Sequence, residues 1–179
     1  NKTLINGVPV AYSPPSTELP FIENFDDGNN DGWSNYGGGN WLVESGSYKG
    51  IGSGGQCIGL TGDLTWDDYT YEAKVKLNGG SNDAGLIFRS VDSANFYLLK
   101  IAYNGMELYK CVNGTYILLS SVAINIPTGN FYNYKIVVNG NSIKAYKDGI
   151  LRIEFTDGTF TKGRIGVRSA GTTVAYFDD

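Results

Sequence analysis

The chain has 179 residues, enough for one domain with a substantial hydrophobic core. With 14 Lys and Arg against 18 Asp and Glu, its net charge is −4, which argues against nucleic acid and anionic membranes as partners. Histidine is absent, which excludes Ser-His-Asp catalysis, Cys-His catalysis and the common zinc sites. No apolar run approaches the ~20 residues of a membrane-spanning helix.

The first 20 residues differ in composition from the rest of the chain. Asn1–Val10 is predicted to form one short strand. The following segment, Ser13–Pro20, is rich in proline, which removes backbone donors and favours an extended chain. We therefore predict that residues 1–20 are a linker from a preceding domain of a larger parent protein, and that residues 21–179 form the domain itself.

A period of two in hydrophobicity runs through the remainder of the chain. Tyr69–Leu77 alternates without a break between apolar and polar residues, which is typical of a half-buried strand. No segment carries the capped, 3.6-residue pattern of a helix. The other predicted strands are Trp41–Tyr48, Asp83–Arg89, Phe96–Tyr103, Met106–Val112, Tyr116–Ser120, Phe131–Asn139, Ser142–Lys147, Ile150–Phe155, Gly163–Ser169 and Thr172–Asp178.

The connections between these strands carry the residues of tight turns. Asn113-Gly114, Asn139-Gly140 and Asp148-Gly149 are pairs that tolerate the positive φ of hairpin turns. Many short strands joined in this way indicate an all-β fold. At this length we predict a two-sheet antiparallel β-sandwich of the jelly-roll type.

The two cysteines, Cys57 and Cys111, leave two interpretations open. Two cysteines do not make a disulfide framework, and the favoured interpretation is a pair of small buried apolar residues. A single disulfide between them is the alternative.

The carboxylates inside the strands do not suggest an enzyme. A glycosidase needs two carboxylates placed across the scissile bond. Glu44, Glu72, Glu107 and Glu154 each stand alone in a different predicted strand, and no Glu-x-Asp-x-x-Glu run exists. We interpret them as solvated strand residues, and a pair made by tertiary contact remains the alternative.

Carboxylates also cluster at both ends of the predicted domain. Glu23 and Asp26 lie near its start, and Asp178 and Asp179 close the chain. If the first and last strands pair, these acids come together, and like charges repel unless a cation lies between them. Ca²⁺ takes about six to eight oxygen ligands, from carboxylates and backbone carbonyls. A structural Ca²⁺ is therefore one hypothesis, and acids that end strands in solvent are the other.

Two aromatic residues, Trp33 and Tyr36, lie in a polar, glycine-rich stretch that is predicted to be a loop. An aromatic ring in a loop can offer its flat face to the C–H surface of a sugar ring, beside groups that hydrogen-bond the hydroxyls. The alternative is that Trp33 covers the edge of the sandwich.

A second group of candidate sugar ligands lies around one predicted hairpin. Phe88 is expected to face the core, so Arg89, a rigid fork of five donors, is expected on the opposite face. If the turn closes symmetrically, Arg89 stands opposite Tyr97, with Asp92 and Asn95 at the same end. These residues predict a site that fits the end of a sugar chain, with a solvated or salt-bridged arginine as the alternative.

Several motifs of the sequence, in this order and spacing, resemble those of one family. These motifs are Phe25-Asp26-Asp27, Gly32-Trp33, Trp41–Tyr48, Ala84–Arg89, Asn95–Tyr97, Tyr146–Gly149, Gly163–Val167 and Ala175–Asp179. Through them the sequence resembles concanavalin-A-like (laminin-G-like) carbohydrate-binding domains, and in particular the family 66 fructan-binding modules appended to bacterial glycoside hydrolases.

This resemblance implies a non-catalytic module that holds an attached glycoside hydrolase on its polysaccharide. It further implies secretion by a bacterium, a monomeric module in a multidomain parent, and a structural Ca²⁺ beside the terminal strands. Related 3-keto-glycoside hydrolase-like domains share the pattern, so an enzyme is one alternative function. A protein-binding adhesion or interaction module is another.

Overall fold

The structure is a computed structural model that describes residues 18–79 and 83–179, and before them the backbone of two short strands. All strand pairs are antiparallel. No helix able to cross a membrane occurs in the described residues. The strands are β1 (Leu4–Ile5), β2 (Val8–Pro9), β3 (Ser34–Glu44), β4 (Ser47–Thr61), β5 (Tyr69–Leu77), β6 (Ala84–Asp92), β7 (Asn95–Ala102), β8 (Gly105–Val112), β9 (Thr115–Ala123), β10 (Phe131–Asn139), β11 (Ser142–Lys147), β12 (Ile150–Thr156), β13 (Arg164–Ala170) and β14 (Val174–Asp178).

The N-terminal segment holds two strands where the sequence predicts one. β1 and β2 pair with each other, so the prediction of a single strand over Asn1–Val10 is wrong. The sequence between them is Asn6-Gly7, a dipeptide typical of tight hairpin turns. Most of the predicted linker, Ser13–Pro20, lies outside the described residues, and the linker stays a prediction.

The long hairpin of β3 and β4 divides the other strands into two sheets. The first part of β4 pairs with β14, and its second part, from Gln56 onward, pairs with β13. β3 follows β4 along both parts. Sheet I therefore has the order β12-β11-β10-β5-β14-β4-β3, and sheet II the order β3-β4-β13-β6-β7-β8-β9. This is the predicted antiparallel sandwich, although Trp41–Tyr48 is not one strand, since a turn at Ser45-Gly46 divides it.

Glycines allow the hairpin to pass from one sheet to the other. The pairing of β3 with β4 shifts register between Gly37 and Gly39, which have φ values of +84° and +131°. A Cβ atom on Gly37 would lie 2.0 Å from the carbonyl oxygen of Gln56. Only glycine combines this backbone conformation with so close an approach.

The main core lies between the two sheets, as the alternation predicts. Tyr69, Tyr71, Ala73, Val75 and Leu77 all point inward from β5. In β12 a period of two places Leu151, Ile153 and Phe155 on one face, but Leu151 is 43% exposed, and of the three only Ile153 and Phe155 pack in or on the core. A register shift between Ala145 and Tyr146 of β11 leaves one residue of β12 unpaired, and it turns Leu151 outward.

Aromatic contacts close the side of the core nearest to the β3–β4 hairpin. Tyr48 is fully buried and stacks on the half-buried Trp41 with ring centroids 4.6 Å apart. Cys57 and Cys111 are free and buried, which confirms their interpretation as small apolar residues. Burial raises the pKa of the Cys57 thiol to about 11, so this thiol is protonated at neutral pH.

Arg89 lies inside the molecule and not on an outer sheet face. Phe88 pairs with Tyr97 and Asp92 with Asn95, so an irregularity separates these pairs and the hairpin is not symmetric. Arg89 has a φ of +46° and is fully buried. The prediction that Arg89 stands opposite Tyr97 on an outer face is therefore wrong, because the bulge turns its side chain toward the end of the sandwich.

The Arg89 guanidinium joins three connecting segments at this end of the sandwich. Its Nε and Nη2 donate to the carbonyl oxygen of Asp67 at 3.1 and 3.0 Å. Its Nη1 donates to the carbonyl oxygens of Gly140 and Phe160 at 2.7 and 3.3 Å. Asp68 supplies the carboxylate, with Oδ1 3.0 Å from Nη2. A buried charge is tolerated here because carbonyl and carboxylate oxygens surround it.

Replacement of Arg89 by methionine should destabilise the fold strongly. The change leaves the carbonyl oxygens of Gly140 and Phe160 without their donor, and each hydrogen bond from a charged group contributes about 1.5–3 kcal/mol. Equilibrium unfolding in urea measures the free energy of unfolding. Lys162→Met, at an exposed position, is the matched control and should change it by less than about 0.5 kcal/mol. Equal stability of the two variants would contradict the structural role of Arg89.

A second polar network lies around Asp157, where it holds Tyr97. Tyr97 is fully buried, and its hydroxyl donates to Asp157 Oδ1 at 2.5 Å. Lys110 Nζ lies 2.8 Å from Asp157 Oδ2. Burial acts to raise the pKa of Asp157, but the hydrogen bonds from Lys110, Thr159 and Tyr97 outweigh it, so the pKa is well below its usual range.

Because the pKa of Asp157 is lower in the folded state, its contribution to stability is complete above the unfolded-state pKa of about 4. That contribution decreases as the pH falls further. Asp157→Asn should therefore be less stable than the parent by about 1.5–3 kcal/mol at neutral pH. The difference should shrink below about pH 4, as denaturation followed by circular dichroism at several pH values would show. A difference that stays constant from neutral to acid pH would refute this assignment.

Candidate functional site

Sheet II has a second apolar layer on the face that points away from the core. Leu86 and Phe88 of β6 belong to the main core, whereas Ile87 between them points to the opposite face and is nevertheless fully buried. An outer face normally exposes such residues. The side chains of this second layer, all at most 3% exposed, are Ile58, Leu60, Ile87, Phe96, Leu98 and Cys111.

Tyr109, Tyr116 and Arg168 pack around this apolar layer. The two tyrosine rings meet edge to face with centroids 6.1 Å apart, and Tyr116 meets Phe96 of the layer in the same way at 6.0 Å. The guanidinium carbon of Arg168 lies 5.7 Å from the centre of the Tyr116 ring. The outer face of sheet II thus carries aromatic rings and a cation on an apolar floor, and we call it the sheet II face.

Fixed partners orient Arg168 on this face. Its Nη1 lies 2.6 Å from Asp83 Oδ1, and its Nε donates to Gln56 Oε1 at 3.0 Å. The Tyr116 hydroxyl donates to the same oxygen of Gln56. Arg168 is only 8% exposed, so its planar donor fork is held in one geometry before any ligand arrives.

A second ion pair lies on the same face, in line with the first. Arg168 pairs with Gly85, Gly85 with Lys100, and Lys100 with Glu107, each on the next strand, so these residues form a row across sheet II. Lys100 Nζ lies 2.9 Å from Glu107 Oε2, which also accepts from the Tyr109 hydroxyl at 3.1 Å. The hydrogen bond from Lys100 lowers the pKa of Glu107. Burial acts to lower the pKa of Lys100, but Glu107 and Asp83 outweigh it and raise the pKa.

The outer face of sheet I also carries ion pairs. In the pair of Lys144 and Glu154 the side chains are 38% and 56% exposed, and in the pair of Lys49 and Glu44 they are 17% and 42% exposed. On the sheet II face the values are 27% and 35% for Lys100 and Glu107, and 10% and 27% for Arg168 and Asp83. The pair of Arg168 and Asp83 is therefore less exposed than either of these two sheet I pairs.

Of the residues predicted to bind sugar, Tyr36 lies on the sheet II face. It belongs to β3 and not to a loop, pairs with Ile58, and is 37% exposed. Arg89 and Tyr97 are fully buried, and their polar groups are bonded within the protein. The predicted direct contact of these two with a sugar therefore has no support from their positions.

The remaining predicted sugar ligands have structural partners of their own. Asn95 Nδ2 lies 3.0 Å from both carboxylate oxygens of Asp92, and the two residues order the exposed β6–β7 turn. Trp33 is half-buried and packs on Phe25 and Tyr48, with ring centroids 5.7 and 5.0 Å apart. These contacts match the alternative in which Trp33 covers the sandwich edge, and the sugar-binding role of the three residues stays a prediction.

The sequence analysis missed Arg168, Asp83 and the tyrosines of the sheet II face. One signal for them exists in the sequence, because β6 and β7 contain the continuous apolar runs Leu86-Ile87-Phe88 and Phe96–Leu99. Such runs indicate strands that are covered on both faces. The partners that cover the second face come from distant positions and cannot be identified from these runs.

The acids near the two ends of the domain, Glu23, Asp26, Asp178 and Asp179, are not grouped as metal ligands in the described structure. Phe21–Gly28 forms no strand, so the predicted pairing of the first and last strands is wrong. Glu23 Oε1 accepts from the backbone N–H of Phe25 at 2.9 Å, and Asp179 is ion-paired with Lys74. Within the described residues no three of the side chains His, Cys, Asp and Glu are grouped to hold a metal ion. The structural Ca²⁺ stays a prediction.

Asp178 offers a test of the terminal acids. Burial raises its pKa, and the neighbouring Asp179 and Asp26 raise it further, so its charged form is disfavoured in the folded state. Asp178→Asn should therefore raise the melting temperature at neutral pH, and the gain should disappear below the unfolded-state pKa of about 4. Differential scanning calorimetry in EDTA and in CaCl₂ measures the melting temperatures of both proteins. A melting temperature that rises with Ca²⁺ in the parent but not in Asp178→Asn would instead establish the calcium site.

The fold and the sheet II face define a concanavalin-A-like β-sandwich with an ordered polar face on its second sheet. Residues 20–179 match the family model of the 3-keto-alpha-glucoside-1,2-lyase-like domain, and the chain belongs to this family. A levanase of Bacillus subtilis (strain 168) is 28% identical over 114 residues, which cover 61% of this chain and 17% of the levanase. The chain thus matches about one sixth of the length of that relative.

Solved structures agree with this assignment. The family 66 carbohydrate-binding module of Bacillus subtilis superposes with a TM-score of 0.76 at 25% identity, over 83% of this chain and 92% of the module. The resemblance stated from the sequence motifs is therefore confirmed. A β-glucanase of Bacillus licheniformis has a TM-score of 0.60 at 16% identity, over 87% of this chain and 94% of the glucanase. At that identity it shows the sandwich fold alone.

Proposed function

We propose that the chain is a carbohydrate-binding module and that the sheet II face binds the sugar. The observation that carries this proposal is the row from Arg168 to Glu107, in which both ion pairs are fixed beside tyrosine rings over a buried apolar layer. Similarity to a carbohydrate-binding module and to a levanase supports a sugar as the ligand.

The groups of the sheet II face complement the two surfaces of a sugar ring. Tyr36 and Tyr109 offer aromatic surface to its apolar C–H groups. Arg168 and Lys100 donate hydrogen bonds to hydroxyls, while the carboxylate of Glu107 accepts them. A neutral sugar brings no charge to add to the affinity, so we expect dissociation constants of about 1 μM to 1 mM.

The charge state of the face favours binding over catalysis. A general acid needs a pKa near or above the working pH. Glu107 is held ionised by Lys100 and Tyr109, which lower its pKa, and Asp83 is ion-paired with Arg168. Both carboxylates therefore serve as hydrogen-bond acceptors in the proposed site. This supports a non-catalytic module over the alternative, an enzyme of the matched family.

The relation to the levanase supports a module within a larger secreted enzyme. The matched segment is 17% of the levanase, so most of that protein consists of other parts. A module that holds its parent on a polysaccharide raises the local concentration of substrate around the catalytic domain. We propose this targeting role for the chain, as a monomeric unit of an extracellular bacterial glycoside hydrolase.

A glycan panel followed by isothermal titration calorimetry tests the proposed site. Against the best ligand, Lys100→Met should lower the affinity about 10-fold to 100-fold, because loss of a hydrogen bond to a charged group costs about 1.5–3 kcal/mol. The matched control is Lys144→Met, which removes the corresponding lysine from the ion pair on sheet I. It should leave binding unchanged.

Two results would contradict the proposal. The first is full affinity in a correctly folded Lys100→Met variant together with weakened binding in Lys144→Met, which would place the ligand on sheet I. The second is turnover of the bound glycan or of aryl glycosides that is abolished by Glu107→Gln, which would make the chain an enzyme.

A further inference from the structure

Arg164, on the outer face of sheet II, has no partner for its charge. It is the first residue of β13, four residues before Arg168. Ile165 and Val167 of this strand point into the main core, so Arg164 and Arg168 both lie on the opposite face. Arg164 is half-buried, and with the described residues it forms neither an ion pair nor a hydrogen bond. Its charge is therefore free to attract a ligand.

Arg164 and Arg168 stand at the two ends of one strip of the second apolar layer. Gly166 lies between them and pairs with Leu60 of β4 and Ile87 of β6, two fully buried members of that layer. Because a strand rises about 3.3 Å per residue, the Cα atoms of the two arginines are about 13 Å apart. A single sugar is too small to reach both positions, whereas an oligosaccharide can lie along the strand and contact both.

The Arg164 guanidinium presents one edge to solvent. Its Nε is buried without a hydrogen bond, whereas the two terminal nitrogens, Nη1 and Nη2, are open to solvent. These two nitrogens carry N–H donors in one plane, a geometry that matches the two oxygens of a carboxylate. Partial burial strengthens the attraction between opposite charges, because less water lies between them. The accessible edge of Arg164 therefore favours a carboxylate as its ligand.

The two cations of the row, in contrast, are already compensated. Arg168 is ion-paired with Asp83, and Lys100 is ion-paired with Glu107. These pairs suit neutral hydroxyls, which both donate and accept hydrogen bonds. A carboxylate only accepts, so it is repelled by Asp83 and Glu107 and attracted by Arg164. The distribution of charge therefore favours neutral sugar units at the row and an acidic unit at Arg164.

We propose that the sheet II face binds an acidic glycan and that Arg164 holds a carboxylate of this glycan. The inference rests on the proposed function, because it places the glycan on the same face. Neutral units of the chain contact the row from Arg168 to Glu107. A uronic acid, which is a sugar with a carboxylate on its ring, lies at the start of β13, where both terminal nitrogens of Arg164 donate to the carboxylate.

Three acidic polysaccharides, each beside its carboxyl-reduced form, test this class of ligand. Polygalacturonate, alginate and glucuronoxylan are suitable, because reduction converts each uronic acid into a neutral sugar and keeps the linkages of the chain. Affinity electrophoresis selects the pair that the protein binds, and isothermal titration calorimetry then measures oligosaccharides of both forms. The acidic form should bind about 10-fold to 100-fold more tightly, as expected for hydrogen bonds between charged groups.

Substitutions at Arg164 locate the carboxylate. Arg164→Gln should lower the affinity for the acidic form to that of the reduced form, and it should leave the affinity for the reduced form unchanged. If Arg164→Gln fails to fold by circular dichroism, Arg164→Lys takes its place. This variant keeps the charge but loses the planar pair of donors, so its affinity for the acidic form should be intermediate.

Arg152→Gln is the matched control. Arg152 belongs to β12 of sheet I, is also half-buried, and has an Nε that is likewise buried without a partner. Its replacement changes the net charge of the protein by the same amount as Arg164→Gln. It should leave the affinities for the acidic and the reduced form unchanged, because only the position of the lost charge differs.

Three outcomes would overturn the acidic ligand. The first is a reduced form that binds as tightly as its acidic form, and the second is an equal effect of Arg164→Gln and Arg152→Gln. The third is binding of a neutral glycan by a protein that binds none of the three acidic ones. Dextran sulfate bound as tightly as the acidic glycan would also overturn it, because the protein would then respond to any polyanion.

The proposed function fails in a different way. Lys100→Met should weaken the acidic and the reduced form alike, because Lys100 contacts the neutral units. If this variant binds the reduced form with full affinity, the row is not the sugar site, whatever the result for Arg164. If Lys100→Met weakens binding and Arg164→Gln does not, the row stands as the sugar site and the acidic ligand is wrong.

Discussion

The structure depends on the burial of one charged group, the Arg89 guanidinium. It is fully buried, so its donors must find acceptors inside the protein, and carbonyl oxygens from three connecting segments provide them. The bulge that turns Arg89 inward also shifts the pairing of β6 with β13, where Arg164 pairs with Ser90 and Gly166 with Ile87. Beyond this shift, Arg168 pairs with Gly85, which sets its place in the row of the sheet II face.

Sheet II differs from sheet I because both of its faces are apolar at their centre. Its inner face packs in the main core, and its outer face holds a second layer beneath tyrosines and ion pairs. Polar groups over an apolar layer lose conformational freedom when the protein folds and not when a ligand binds. In the proposed sugar site, this preorganisation favours Arg168 as a donor over the more exposed Lys144 of sheet I.

The period of two was sufficient to predict most strands, because inward and outward positions alternate along a strand whatever its partner. It fails at Arg89 and Leu151, because a bulge reverses the alternation of inward and outward positions. The hydrophobicity of the sequence does not show where such a bulge occurs. It also misses most of β3 and β4, because their glycine-rich stretches show no alternation of apolar and polar residues. The site was harder to predict because the contact between Arg168 and Asp83 joins residues 85 positions apart.

The row of the proposed sugar site relies on oriented donors and aromatic rings and not on net charge. It runs across β13, β6, β7 and β8, and each ion pair of the row joins two side chains of the protein itself. A neutral sugar therefore meets donors and acceptors whose charges are already compensated. Salt should consequently change the affinity for a neutral sugar only a little, since ionic screening acts on attraction between exposed charges of two partners.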